Sequence, residues 1–433
     1  MNLASGSPLD TIFAMATGAG QAAISVIRLS GPQSARILRL LAGRLPKPRH
    51  ASLCRLRDES ASTLDHGLVL WMPAPASYTG EDTAELHLHG GRAVAQSVTN
   101  ALLRAGARPA DPGEFTRRAF LAGKMDLLEA EAVADLVRAE TDTQRMLALV
   151  ALDGHATHSV ADWAARIQHW LAFQEAWIDF PDESGEQTFA DMRAELHALA
   201  AEIQRTLAAA PAGARIRDGL IIAIAGAPNV GKSSLFNLLT GRDMAMVSPI
   251  PGTTRDALEA SLDIAGIKTT LIDTAGLRDT SDELEAEGVR RARARVAEAD
   301  IILYVTDRTQ PPPTQDNPRL LWIENKLDLS PARPGAFGLS AATHQGLATL
   351  LDQLTQRVVS LTRTDGDPVL SRARHVASLR DARTALLQAA DAPLPELRAE
   401  DLRTALAAIG RLTGQVHTEA LLDVIFGAFC IGK

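Results

Sequence analysis

The stretch Gly226-Ala227-Pro228-Asn229-Val230-Gly231-Lys232-Ser233 follows the apolar run Leu220–Ala225 and precedes a helix-like run over residues 234–239. Strand, glycine-bounded loop and helix in that order make a phosphate-binding loop, in which backbone N–H groups turn inward around phosphate oxygens at the positive end of a helix. Lys232 can reach the outer phosphates, the Ser233 hydroxyl can hold magnesium, and Val230, Gly231 and Ser234 belong to the same cradle. The ligand expected there is a nucleoside triphosphate.

Working outward, strand-like runs at residues 220–225, 269–273, 301–307, 320–324 and 337–340 alternate with helical patterns, as a parallel α/β sheet requires. This predicts a P-loop α/β unit over residues 213–364. Residues 1–120 mix short β-like runs (22–29, 67–72, 83–89) with glycine-rich turns and one helix-like segment (93–103), which reads as an α+β domain. Residues 121–212 and 365–433 are rich in alanine and leucine at helical spacing. The α/β unit is therefore expected to be inserted in a helical domain whose two parts pair across it. Trp163, Trp170 and Trp177 recur every seven residues, the spacing of a buried helix seam.

The chain of 433 residues is 46% hydrophobic, enough for several cores, and carries a formal charge of −8. That charge argues against a protein gripping nucleic acid over its whole surface and leaves room for a confined basic patch. Cys54 and Cys430 are the only cysteines, so neither a disulfide framework nor a paired-cysteine metal site is expected. With no signal-peptide pattern and no apolar run of membrane length, the expectation is a cytoplasmic protein with no membrane partner. His87 and His89 alternate along a strand without a third ligand at suitable spacing and are read as strand residues. Arg290, Arg291, Arg293 and Arg295 are read as a solvated helix face.

Other motifs define the nucleotide. Asn325-Lys326-Leu327-Asp328 follows the strand 320–324, where the Asp328 carboxylate can accept from the ring N–H and amino group of guanine; Ser340-Ala341 lies on the next strand. Asp273-Thr274-Ala275-Gly276 ends another strand, its carboxylate near magnesium and its last N–H near the γ-phosphate. Thr253 and Thr254 lie between these motifs, and the magnesium-ligating hydroxyl is assigned to Thr254. GTP with Mg2+ is the expected pair. After Gly276 stands Leu277, where many small GTPases carry a water-orienting glutamine, so another group must hold the attacking water. Asn229 can offer a carbonyl oxygen to a monovalent cation, and the segment Ser248-Pro249-Ile250-Pro251-Gly252-Thr253 can add backbone carbonyls. Potassium there would supply the charge of an arginine finger; the other reading is that Asn229 only stabilises its own loop. The run Asp282-Glu283-Leu284-Glu285 offers carboxylates for the water.

Across essentially its whole length the sequence resembles the MnmE (TrmE) family of bacterial tRNA modification GTPases. The resemblance rests on Tyr78-Thr-Gly-Glu-Asp82, His87-Leu-His-Gly-Gly91, Pro112-Gly-Glu-Phe115, the segment 119–127, the G-domain motifs with Gly252-Thr-Thr-Arg-Asp256, and the terminal Phe429-Cys-Ile-Gly-Lys433. It implies an N-terminal folate-binding and dimerisation domain (1–120), a helical domain (121–212 and 365–433) and the inserted G domain (213–364). Glu285 then matches the water-orienting glutamate, acting with Lys232 and Asn229. Asn229, Ser248, Ile250 and Thr253 match potassium positions, and Ser233 and Thr254 match magnesium positions. Arg28, Glu85, Lys124 and Lys433 match the site of a tetrahydrofolate derivative, in its 5-formyl or 5,10-methylene form. Arg and Lys suit the folate's carboxylates, and Glu suits the pterin edge. Cys430 stands where the family carries a reactive-looking cysteine; a small buried thiol is the other reading. The loop at residues 16–21 lacks the family's prolines. The function implied is a homodimeric, potassium-activated GTPase in a heterotetramer with the FAD-dependent MnmG. Together they would add a carboxymethylaminomethyl or aminomethyl group to C5 of the wobble uridine of certain tRNAs. A rival class is a GTP-controlled RNA or ribosome assembly switch, which usually carries a basic RNA-binding module; none follows this G domain.

Overall fold

The computed structural model describes residues 10–18, 20–179, 186–241, 259–273, 297–313, 317–363, 366 and 369–432. They fall into two compact units, Met1–Ala134 with Ala151–Ala165 and Ile409–Lys433, and Asp135–Val150 with Arg166–Ala408.

The first unit is built on a sheet of β1 (Ile12–Met15), β2 (Ile24–Ser30), β3 (Ser52–Arg57), β4 (Thr63–Met72), β5 (Thr83–His89) and β6 (Arg108–Pro109), in the order β3-β4-β5-β2-β1-β6. Successive side chains along its strands point to opposite faces, with one irregularity between Leu56 and Arg57. Leu56, Val69, Trp71, Leu86, Ile27 and Leu29 form one core with the helices Ser34–Ala42 and Arg92–Arg104. Burying each such side chain contributes on the order of 2 kcal/mol. The opposite face carries Leu53 beside Leu68, then His87 and Val26 in register, with Arg28 opposite Glu85. Leu53 and Leu68 are exposed.

The chain's end belongs to this same unit. Leu422, Phe426 and Phe429, in and after the helix Glu419–Gly427, share a core with Leu127 and Ala130. Arg117 of the helix Glu114–Leu121 pairs with Glu419 and, at 3.2 Å, with Asp423. A Cβ on Gly432 would stand 2.5 Å from the Met15 carbonyl, so the tail lies directly on the end of β1. Cys430 is exposed, which removes the buried-thiol reading.

The second unit holds β7 (Leu220–Ala225), β8 (Glu259–Ile264), β9 (Ile267–Asp273), β10 (Ile301–Thr306), β11 (Leu320–Glu324) and β12 (Phe337–Gly338), in the order β12-β11-β10-β7-β9-β8. The five expected strands are parallel; a sixth, β8, was not expected and runs antiparallel to β9 at the sheet edge. The reason is local. Ala265 and Gly266, at φ 55 and 77, form a two-residue turn of the type that joins only antiparallel neighbours. The helices Lys232–Thr240 and Leu347–Thr362 cover the sheet with Leu235, Leu239, Leu350 and Leu354. In the helical part, Glu186–Asp218 packs along Ala373–Asp391, so segments before and after the α/β region do pair. Trp170 and Trp177 join Phe173 and Phe189 in an aromatic cluster of this unit, while Trp163 is buried within the first. No described helix is long and apolar enough to cross a membrane.

Candidate functional site

The parallel strands of the second unit end together, and their loops build the site. At the end of β7 the chain turns at Gly226, φ 143, where a Cβ would stand 2.1 Å from the Val305 carbonyl of β10. Only glycine fits so close a backbone approach. Asn229 follows in the left-handed region at φ 63, a conformation Asn tolerates, and its side chain is exposed. Gly231, φ 100, then caps the helix Lys232–Thr240.

Lys232 is only 7% exposed, and its ammonium donates to the carbonyls of Gly226 at 3.0 Å and Ala227 at 2.9 Å. Its charge is thus held over the centre of the loop. Ser233 Oγ donates to Asp273 Oδ2 at 2.8 Å, bringing a hydroxyl and a carboxylate to one point. That oxygen pair suits a hard divalent cation. Ser234 is exposed on the next position and Val230 is buried beneath the loop.

Asn325 joins three loops. Its Nδ2 donates to the Val230 carbonyl at 2.9 Å, and its Oδ1 accepts from the Ala341 amide at 3.0 Å. Asp328 is exposed, and its Oδ1 accepts from Ser340 Oγ at 2.6 Å. Lys326, at φ 67, pairs with Asp307 Oδ2 at 2.6 Å. The structure therefore brings Val230, Gly231, Lys232, Ser233, Asp273, Asn325, Lys326, Asp328, Ser340 and Ala341 to one end of one sheet. Ser248, Pro249, Ile250, Pro251, Gly252, Thr253, Thr254, Thr274, Ala275, Gly276, Leu277, Glu285 and the Arg290–Arg295 run lie outside the described residues. So does Lys433.

A second constellation occupies the open face of the first unit. Arg28 donates to Glu85 Oε1 through Nε at 3.1 Å and Nη2 at 2.9 Å. Its guanidinium lies 5.5 Å from the Tyr78 ring centroid and 5.8 Å from that of Phe115. Such stacking suits the planar arginine cation. Tyr78 OH is 2.9 Å from Thr116 Oγ1; burial raises its phenol pKa, against the opposing pull of Thr116 and Arg28. Lys124 lies along the same loop, its Cε 3.3 Å from where a Cβ on Gly80 would stand. Beneath it, Ser30 Oγ donates to Glu81 Oε2 at 2.8 Å, and Arg118 bridges Glu81 and Glu114 at 3.0 and 2.9 Å. Burial pushes the Glu114 carboxyl up, but Arg108, the Asp111 amide and Arg118 outweigh it and hold it below its ordinary value. His87 faces Glu85 at 3.4 Å and His89 faces Asp65 at 2.7 Å. Among the described residues no group of His, Cys, Asp and Glu side chains could hold a metal ion.

Residues 11–124 match the family model described as GTP-binding protein TrmE N-terminus, and residues 127–430 match that of the MnmE helical domain. The chain belongs to the MnmE family. It is 50% identical over 433 residues to the tRNA modification GTPase MnmE of Gluconacetobacter diazotrophicus, covering 98% of each chain. To the protein of that name from Granulibacter bethesdensis it is 48% identical over 437 residues, covering 98% of this chain and 99% of the relative. To that from Acidiphilium cryptum it is 49% identical over 432 residues, covering 99% of each. The fold matches this MnmE membership: an α+β N-terminal region, helices, and a P-loop α/β region between helical segments.

Sequence reasoning had not assigned roles to three residues of this MnmE-family chain. Tyr78 and Phe115 flank Arg28, and both stand inside motifs that carried the resemblance. Asp307 had no motif of its own; its one signal was its position at the end of a strand, as Asp273 stands at the end of β9.

Proposed function

We propose that this chain hydrolyses GTP at the 226–233 loop in the service of tRNA modification. The single observation that carries the nucleotide reading is Asn325, whose amide ties the phosphate loop to Ala341 while Asp328 and Ser340 stand beside it. The loop that would hold the phosphates and the segments that would hold the base are thereby tied together. Ser233 and Thr254 would hold Mg2+, a role supported at Ser233 by the carboxylate of Asp273 at 2.8 Å. Asn229, Ser248, Ile250 and Thr253 would hold K+, a reading supported by the exposed left-handed Asn229 at the loop's outer turn. Potassium when bound supplies positive charge against the phosphates, the part an arginine finger plays elsewhere. Lys232 would stabilise charge on the outer phosphates, and Glu285 would orient the attacking water.

In the first unit, Arg28, Glu85, Lys124 and Lys433 would bind a tetrahydrofolate derivative that supplies the one-carbon unit. The Arg28–Glu85 pair on an open sheet face, beside Lys124, supports this. So does the Gly432 backbone on β1, which brings the C-terminus to this domain. The exposed Leu53 and Leu68 on the same face support homodimerisation there. With FAD-dependent MnmG, the cytoplasmic dimer would modify C5 of the wobble uridine of certain tRNAs, the GTP cycle driving conformational change.

Nucleoside analysis of tRNA from a deletion strain tests the modification reading. Loss of the wobble-uridine modification is expected; an unchanged nucleoside profile would refute it in favour of an assembly role. For the cation, GTP hydrolysis is expected to be faster in KCl than in NaCl, with the preference weakened by Asn229→Ala. Glu285→Ala should bind GTP yet hydrolyse it slowly, and equal rates in both salts would remove the potassium role.

A further inference from the structure

Two lysines serve the nucleotide region, and their ammonium groups have different partners. Lys232 stands on loop carbonyls, where phosphates belong. Lys326 instead delivers its charge to Asp307 at 2.6 Å. The Asp307 side chain is 8% exposed, and both its oxygens are engaged: Oδ1 accepts from Thr309 N at 2.9 Å and Thr309 Oγ1 at 2.5 Å. Asp307 directly follows β10, whose last residue is also tied to the guanine loop. The Thr306 carbonyl accepts from Asn325 N at 2.8 Å, and Thr306 Oγ1 accepts from Trp322 Nε1 at 2.8 Å. The carboxylate is thus a rigid anchor, and the lysine reaches it from a left-handed backbone, φ 67, rare for a residue with a side chain.

With its charge matched by Asp307, what Lys326 offers a ligand is its methylene stem. The side chain is 43% exposed, two residues from exposed Asp328. Such stems cover apolar surface while the charged head is satisfied elsewhere. We propose that Asp307 is a positioning residue for guanine, fixing the Lys326 ammonium so that the lysine stem is laid out in advance as a platform for the base. This rests on the reading of the second unit as a GTP site.

An unanchored lysine must be ordered when the base arrives, which costs roughly a three- to tenfold loss of affinity for one rotamer-rich side chain. The test is a double-mutant cycle of Asp307→Asn and Lys326→Met in the full chain, read by mant-GDP titration and steady-state hydrolysis. Asp307→Asn should raise Kd about three- to tenfold and KM for GTP in step, with kcat within about twofold of wild type. In the Lys326→Met background the same change should leave Kd within about 1.5-fold, because the group it acts through is gone. Additive effects, or an Asp307→Asn protein with wild-type Kd, would overturn the inference. If Asp307→Asn does not fold, Thr309→Val carries the same cycle, with about a twofold rise in Kd expected only when Lys326 is present; a rise without Lys326, or none with it, overturns the inference. A wild-type chain that binds no mant-GDP would overturn the nucleotide reading itself, a distinct outcome.

Discussion

Replacing Gly231 by alanine should disable nucleotide binding by straining the loop and displacing the Asn325 amide, with no charged side chain removed. At φ 100 an alanine backbone is strained, at a cost of about 1–3 kcal/mol. The new Cβ would also stand 2.1 Å from Asn325 Nδ2, so that amide must move. Its bonds to the Val230 carbonyl (2.9 Å) and from the Ala341 amide (3.0 Å) are then lost. Each is worth about 0.5–1.5 kcal/mol net. The sum is about 2–6 kcal/mol, carried by the loop geometry a triphosphate requires. Even the lower figure corresponds to roughly 30-fold weaker binding. Mant-GDP fluorescence titration reads the affinity, and circular dichroism melting confirms that the protein is folded. Gly91→Ala is the control, since its φ of −84 is ordinary and nothing lies within 4 Å of the added Cβ. A folded Gly231→Ala protein binding GDP within threefold of wild type would refute the reasoning.

Two further outcomes follow from the ion pairs. Lys326 and Thr309 hold the Asp307 carboxyl down to about 2, from its ordinary 3.8. A depressed carboxyl stabilises the fold above its unfolded pKa and loses that contribution as pH falls through the folded value. The melting advantage of wild type over Asp307→Asn should therefore be full at neutral pH and vanish between about pH 4 and 2; a gap constant down to about pH 2 would contradict this pairing. Arg28→Met removes the cation between Tyr78 and Phe115 and leaves Glu85 without its 2.9 Å partner. Calorimetric binding of 5-formyl-tetrahydrofolate should weaken at least tenfold, the order of one charged hydrogen bond, while mant-GDP binding is unchanged. Undiminished folate binding would remove Arg28 from the site.

Elements with strong local patterning were legible in the chain itself. The apolar runs Leu220–Ala225 and Leu320–Glu324 and the alternating Thr83–His89 appear as strands with those bounds. Their burial follows from composition alone, and the loop after each is marked by glycine or a polar cluster. Strand β6 was not legible, because its two residues gain strand geometry only by pairing with β1. Strand β8 escaped as well, since a sheet edge half-buried on one side carries little apolar signal.

The sequence by itself determined that a glycine-bounded loop, an Asp at a strand end and an Asn-Lys-x-Asp motif, expected to serve phosphate, metal and guanine, occur in that order on one α/β unit, because each needs only a strand end and a few adjacent residues. It also carried the family resemblance, with the residues expected to hold folate and cations. Only the tertiary structure decided which of these groups meet. Arg28 and Glu85 are 57 positions apart, and Asn325 and Val230 are 95 apart. Asp307 and Lys326 are 19 apart, and the C-terminal tail reaches β1 from the far end of the chain. Such contacts are set by strand order and register, which arise from burial summed over whole faces and leave no mark at the residues they bring together.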